Sequence, residues 1–478
     1  MTLLPVTPNP ARPDLDDIQG NILRGYRCEA TTYLFWTICD QEAAREWLHD
    51  LAASVTTADA APSGVALNIG FSCTGLAVLG VPQRALAQLS PAFRQGMAGR
   101  ARMLGDPVTL DPAEGREVPS DWHAPFGTDR DLHLVLMVSG PAADVDERVA
   151  ELRCQAWQFG LRELDGSVQG RRLPGGKEHF GFVDGLSNPQ VPECAPRTSR
   201  RPADPVPAGE FVLGLPGRDG TRMRQAQGLT RNGSYLVIRK LEQNVPAFES
   251  MVDRACQRTG LDPEVVRAKL MGRWRDGTPL TRDGHPGLAP GWSSPADRPA
   301  SPGGAVTTST DPAAVAFDFA DDPGTFCPVG SHVRRANPRG SLNFEGRLEQ
   351  RHRIMRRGIP YGSPAQDGSG RGDQDRPGLL FACYQASIES QFEFVQTQWL
   401  MDGNVFALGT SRDPVLSPGT SPMHVQLPSV DAEPTQGWLD AGACVTSRGG
   451  EYFLVPGIAA LRSIARVADL YRTHLSAI

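Results

Sequence analysis

The sequence predicts an α+β protein built from two ferredoxin-like modules, each an antiparallel sheet with peripheral helices. Segments of strand character followed by segments of helical period occur four times in 478 residues, two in each half. A ferredoxin-like module contains two such β→α successions, so four of them imply a duplicated module rather than one long alternating parallel sheet. An apolar content of 40% over this length can bury a sizeable core and admits two or three domains.

Taken in order, residues 1–25 read as an N-terminal arm, Pro-rich over the first thirteen. Residues 26–200 form the first half. Its opening strand, 31–38, is β-branched and aromatic, and the helix expected over 42–51 puts Trp47, Leu48 and Leu51 on one side. A second strand, 132–138, precedes a helix over 142–153. Residues 191–207, rich in Pro, Arg and Ala, read as a connector. The second half, 201–478, repeats the succession with strand 235–240 before helix 247–259 and strand 379–386 before helix 389–400. Residues 276–325 form a long irregular loop, of the kind that is functional or mobile, in which Asp318, Asp321 and Asp322 read as a solvated acidic patch. A Gly/Asp-rich loop spans 362–378. The last segment, 457–475, spaces Leu461, Ile464, Val467, Leu470 and Tyr471 at three to four residues, as a helix packed by one face does.

A net charge of −6 argues against a broad nucleic-acid surface, which needs clustered Lys and Arg. Nine cysteines, odd in number and without a CxxC pair, indicate neither a zinc site nor a dense disulfide framework. A cytoplasmic location is therefore expected. The first residues lack a basic region followed by an apolar core, and no run reaches the roughly 18 apolar residues of a membrane span. No membrane partner is expected.

Two stretches carry the chemistry. Cys327-Pro328-Val329-Gly330-Ser331-His332-Val333-Arg334-Arg335-Ala336-Asn337-Pro338-Arg339 reads as a tight loop leading into a short helix, with one histidine held at a fixed point. Such an imidazole can bind a metal or haem iron, hold a charge, or satisfy a buried hydrogen bond. His179-Phe180-Gly181-Phe182-Val183-Asp184-Gly185-Leu186-Ser187-Asn188-Pro189 pins a carboxylate between glycines. Taken alone, an Asp in that setting is a turn residue bonding its own backbone. The segment Gly181–Gly185 resembles the GxxDG motif of the dye-decolorising haem peroxidases, and the His332 stretch resembles their proximal-histidine motif. Further matches run in family order from residue 16 to about 457: Gln19-Gly20-Asn21-Ile22-Leu23-Arg24-Gly25-Tyr26, Gly272-Arg273-Trp274, Arg356-Arg357-Gly358-Ile359-Pro360-Tyr361-Gly362, and Phe394-Val395-Gln396 followed by Trp399. The length and opening segment resemble the longer, non-exported members of that family.

The resemblance implies two ferredoxin-like halves of the dimeric α+β barrel type packed into one haem-binding unit. It implies one haem b (iron protoporphyrin IX) per chain, reduction of H2O2 through a ferryl intermediate, and one-electron oxidation of dyes, phenolic compounds or metal ions. His332 is then the proximal iron ligand, its other ring nitrogen held by an acceptor for which Glu389 and Glu393 are candidates. Asp184 is the distal acid–base that moves a proton between the peroxide oxygens, which requires an ionised carboxylate and predicts an acidic optimum. Arg356 is the distal arginine, with Arg353 and Arg357 as alternates. Arg334, and after it Arg335 and Arg339, suit the haem propionates. Phe182, Gly185, Leu380 and Phe381 are expected to shape the haem slot. Larger donors would lose their electron to a surface Trp or Tyr, for which Trp274, Tyr361, Trp399 and Tyr452 are candidates. Monomer and homodimer stay open. Competing readings are an enzyme releasing iron from intact porphyrin, a haem-storage protein, and an iron-free binding module.

Overall fold

The computed structural model describes residues 13–466 except 27, 60, 114, 128–130, 195–204, 219, 221–227, 281–316, 343–345, 347, 364–375, 420 and 428–434. Among the described residues the strands are, in chain order, β1 Ala30–Ile38, β2 Ala66–Phe71, β3 Val108–Asp111, β4 Arg116–Pro119, β5 Leu134–Gly140, β6 Leu161–Glu163, β7 Val168–Arg171, β8 Ser234–Gln243, β9 Met355–Arg356, β10 Ile359–Tyr361, β11 Gly378–Gln385, β12 Ser421–Leu427, β13 Thr435–Ala441 and β14 Val445–Val455.

The duplication is explicit in the pairing. The first half orders its strands β7-β1-β5-β2 and the second β14-β8-β11-β10, with every neighbouring pair antiparallel. Numbered within each half, both read 4-1-3-2. Helical segments follow the first and third strand of each: Gln41–Leu51 and Ala142–Gln158, then Val245–Thr259 and the segment 388–400. The two sheets also meet each other, with Phe71 of β2 opposite Leu454 of β14 and Gly170 of β7 opposite Tyr361 of β10. Eight strands therefore close into a barrel, and closure pairs edge groups that would otherwise be open to other chains.

Strand alternation divides the core. Leu34, Trp36 and Ile38 of β1 point outward with Leu134, Leu136 and Val138 of β5 to meet Trp47, Leu48, Val145, Val149 and Leu152 of the covering helices. Tyr33, Phe35, Val135 and Met137 point inward, where Phe211 and Val212 help fill the barrel. Both faces are buried, so these strands read as unbroken apolar runs. The first helix starts where it does because the Asp40 carboxylate accepts from the Glu42 and Ala43 N–H groups at 3.0 Å. Asn244 caps the helix Val245–Thr259 in the same way, and Gly260, at φ +69°, ends it.

Three expectations change. The helix expected over 389–400 is wound as π-helix over Ile388–Glu393 and Val395–Leu400, a rare form frequently found at functional sites. Asp322 is not part of a solvated patch, since its carboxylate accepts from the N–H groups of Gly324, Phe326 and Cys327 and holds that loop closed. The final helix is described as Ile458–Ala465, burying Ile458, Leu461 and Ile464. Val467, Leu470 and Tyr471 lie outside the described residues, as do residues 1–12 of the arm and most of the connector and of the two long loops. All nine cysteines are free thiols. No described helix is long and apolar enough to cross a membrane.

Candidate active site

The Asp184 segment leaves β7 and packs on the second half rather than the first. Phe180 stacks on Phe248 at 4.4 Å between ring centroids, and Phe182 meets the same ring edge-on at 6.3 Å. Buried Glu178, unremarked in the sequence, ties the turn: its carboxylate accepts from the N–H groups of Phe180 and Phe182, both at 2.9 Å, and from Gln243 of β8. Burial pushes the Glu178 carboxyl up despite these donors. The Asp184 N–H donates to the Gly176 carbonyl at 3.0 Å. Gly181 and Gly185 stand at φ +92° and +76°, where a side chain would be strained. Asp184 is thus held with its carboxylate free to face outward from the turn.

Arg356 meets it from β9. Its Nη1 donates to Asp184 Oδ1 at 3.2 Å and its Nη2 to the Leu186 carbonyl at 2.6 Å. Asn188 fixes the backbone beneath, exchanging two 3.0 Å hydrogen bonds with Arg356 N and O. Of the alternates, Arg353 also lines the cavity and donates to the Ser187 carbonyl, while Arg357 donates to the Asn21 carbonyl among Tyr26, Tyr33 and Tyr384. Arg273 supports the same turn through the Ser187 hydroxyl at 2.5 Å, and burial, with Arg356 nearby, pushes its guanidinium down to about 10.

His332 opens a five-residue helix, His332–Ala336, after Ser331. Its Nδ1 donates to Oδ2 of Asp413 at 2.9 Å, and Asp413 Oδ1 accepts from Val415 and Leu416 N–H at 2.9 and 2.8 Å. Glu389 and Glu393 are not the acceptor, because Glu389 is taken by Ser90 and Ala92, and Glu393 by Arg100 and Tyr452. Burial pushes the His332 imidazole down, but the Asp413 carboxylate outweighs it and holds the ring above its ordinary value. Burial raises Asp413, and His332 with the two N–H donors more than reverses this, leaving it below the usual carboxylate range. Fully buried Arg335 brings the two together: it donates from the short helix to the carbonyls of Trp399 and Ser411 at 2.9 and 3.1 Å, so the strand of chain leading to Asp413 is clamped to the helix bearing His332.

Asp184, Arg356 and His332 all line one cavity of about 350 Å³. Residues 17–160 match the DyP dimeric alpha+beta barrel domain, and residues 176–409 match the C-terminal part of the Dyp-type peroxidases. The chain is 30% identical to the dye-decolorizing peroxidase msp1 of Mycetinis scorodonius, over 95% of this chain and 88% of that one. The chain belongs to the dye-decolorising peroxidase family. A further relative is the multifunctional dye peroxidase DyP2 of Amycolatopsis sp., 29% identical over 94% of this chain and 96% of its own. Among solved structures, an ancestral D-type dye-decolorising peroxidase superposes with a TM-score of 0.75 at 30% identity, covering 95% of this chain and all of that one. The DyP-type peroxidase of Anabaena sp. does so at 0.73 and 26%, covering 94% of each. These relatives favour neither the iron-releasing nor the storage reading.

Membership of this peroxidase family implies haem, and the residues fit it. The cavity lies within the ~300–1,000 Å³ usual for cofactor and ligand sites. Phe182, Ile354, Leu379, Phe381, Phe392 and Val395 supply apolar walls. With Nδ1 engaged by Asp413, Nε2 is the ring nitrogen of His332 open to a ligand. Arg239 and Gln243 of β8 add polar groups to the same lining.

Several expected site residues lie elsewhere. Arg334 does not face the cavity: buried at 2% exposure, it donates to the carbonyls of Cys327 and Asp322 at 2.7 and 2.6 Å and lies over the Phe319 ring. Two residues on from His332, it stands about 200° round the helix and must point the other way. Arg339, past the end of that helix at φ +47°, returns to the lining with its guanidinium 4.2 Å from the Phe317 ring. Leu380 points into the barrel interior, whereas its neighbours Leu379 and Phe381 face the cavity, as the two-residue period of β11 requires. Gly185 shapes the turn without lining the cavity. Trp274, Tyr361, Trp399 and Tyr452 are all buried and cannot be surface electron exits; Trp157 is 88% exposed.

Proposed function

We propose that the protein binds one haem b per chain through His332 and uses it to reduce H2O2 while oxidising dyes, phenolic compounds or metal ions. The observation that carries this is one apolar-walled cavity bearing the His332–Asp413 pair and the Asp184–Arg356 pair. Haem iron, when bound, supplies the electron transfers that break the peroxide bond and oxidise the donors. The protein's part is position and protons. Asp413 fixes the tautomer and tilt of His332 and raises its donor strength. Asp184 accepts a proton from one peroxide oxygen and delivers it to the other, which leaves as water. Arg356, held by the Leu186 carbonyl, stabilises the negative charge that develops on the departing oxygen. In place of Arg334, Arg339 is the arginine of the His332 stretch that lines the cavity, where it would pair with a haem carboxylate. A cytoplasmic location belongs to this reading and is supported by nine free thiols.

Rapid mixing of the ferric holoprotein with one equivalent of H2O2 tests the assignment. In Asp184→Asn the reaction should slow by roughly 10²–10⁴-fold with the haem absorption band intact. An unchanged rate removes Asp184 from the chemistry and leaves Arg356 in its place. His332→Ala should lose haem or its histidine-ligated spectrum.

A further inference from the structure

His352, which neither the motifs nor the peroxide chemistry uses, lines the same cavity. Its ring is fixed from two sides. It stacks on Phe394 with centroids 3.8 Å apart and planes 6° from parallel, and it meets Trp399 edge-on at 5.1 Å. Nδ1 donates to the Ser390 carbonyl at 2.5 Å, which selects one tautomer and leaves the Nε2 lone pair without a partner among the described residues. Two residues on, Ile354 packs with Phe381 and Phe392, and all three line the cavity beside it.

We propose that His352 is the base that takes the proton of phenolic donors as they are oxidised in this cavity. The inference rests on the peroxidase reading and adds the donor's proton to it. A phenol losing one electron becomes a strongly acidic cation, so the step is easy only if the proton leaves with the electron. The balance is ArOH → ArO• + e⁻ + H⁺: the O–H bond breaks, Nε2 takes the proton and later returns it to water, and haem, when bound, would supply the electron acceptor with H2O2 as the overall oxidant. A phenol ring would share the apolar wall of Phe381 and Phe392 with the haem, and a base held in one orientation through its other nitrogen is fixed as general-base catalysis asks. The charges around it favour the neutral ring. Arg351 and Arg353 flank it on its own segment, and Arg356 shares the cavity with the Asp184 carboxylate it pairs. The segment 388–400 presents the Ser390 carbonyl, Phe394 and Trp399, its carboxylates Glu389 and Glu393 being turned to Ser90 and Arg100. Burial, opposed by the Ser390 carbonyl and reinforced by Arg351, holds the imidazole below its ordinary value, which favours the basic form.

The test compares two donors in the holoenzyme with H2O2: guaiacol, which must lose a proton, and ferrocyanide, which has none. His352→Gln keeps a polar group near Ser390 without a base, and His352→Phe keeps the stack on Phe394. Both should lower kcat/KM for guaiacol at least about tenfold, toward the 10²–10⁴ that a positioned base supplies, and leave ferrocyanide within about twofold. In the wild type the guaiacol-to-ferrocyanide rate ratio should fall as pH drops through the His352 titration, and guaiacol alone should show a solvent deuterium isotope effect. Both signatures should vanish in the variants. Equal losses for the two donors, or an unchanged pH profile, would overturn the proposal and reduce His352 to a wall residue. If the wild type oxidises neither donor, the peroxidase reading fails instead.

Discussion

At the scale of the residue, the site depends on partners that its motifs do not contain. His332 stands out in sequence because a Pro/Gly turn and a basic run frame it, but Asp413 is 81 residues away in an ordinary Ser-Arg-Asp-Pro stretch. Nothing local ties the two, and the contact exists because Arg335 clamps the Ser411 backbone. Asp413→Ala should therefore weaken haem retention or peroxide reactivity by ~10–100-fold, the usual cost of losing an imidazole's hydrogen-bond acceptor. Asp413→Asn should fall between the two, because an amide oxygen can accept from Nδ1 without the charge that raises the ring. Haem dissociation measured by transfer to a scavenging apoprotein reads both. The corrected arginines teach the same lesson: Arg334 and Arg339 share a motif, and helix phase and the φ +47° kink decide which one meets the cavity.

At the scale of the element, alternation along β11 separates stability from function within one tripeptide. Leu380 is fully buried in the barrel interior, while Leu379 and Phe381 line the cavity. Leu380→Ala should cost about 2–5 kcal/mol in denaturant unfolding and leave haem affinity unchanged. Phe381→Ala should do the reverse in kind, loosening the cofactor and broadening its absorption band more than it shifts the unfolding midpoint. The existence of this strand was legible from its apolar run. Its inward face was not, because a strand buried on both sides has no polar residues to mark the phase. The π-helical winding of 388–400 was likewise invisible, since its apolar residues satisfy a period of 3.6 as well as a wider one.

At the scale of the whole molecule, the halves are bound across two seams, and one of them carries a titrating group. Glu451 of β14 accepts from the Met97 N–H at 2.9 Å and the Tyr452 N–H at 2.7 Å, and burial pushes its carboxyl up to about 7. The unfolded chain holds the same group near 4.3. Between about pH 4.3 and 7 the folded state thus binds more protons than the unfolded one, and this group's contribution to stability falls as pH rises through that window. Glu451→Gln should flatten that part of the stability–pH curve and raise the melting temperature relative to wild type at pH 8, as differential scanning calorimetry would record. A variant curve parallel to wild type throughout would mean that the carboxyl titrates normally.

What the sequence determined by itself was local and repetitive: four β→α successions and two rigid loops presenting His332 and Asp184. Period and turn chemistry act within a few residues, so a single chain can be read for them. The tertiary structure alone decided that the 4-1-3-2 sheets close on each other, that Asp413 rather than Glu389 or Glu393 holds His332, and that Arg356 rather than its neighbours meets Asp184. Those outcomes hang on strand phase, helix phase and contacts between segments distant in sequence, and packing of the complete barrel is what selects among them.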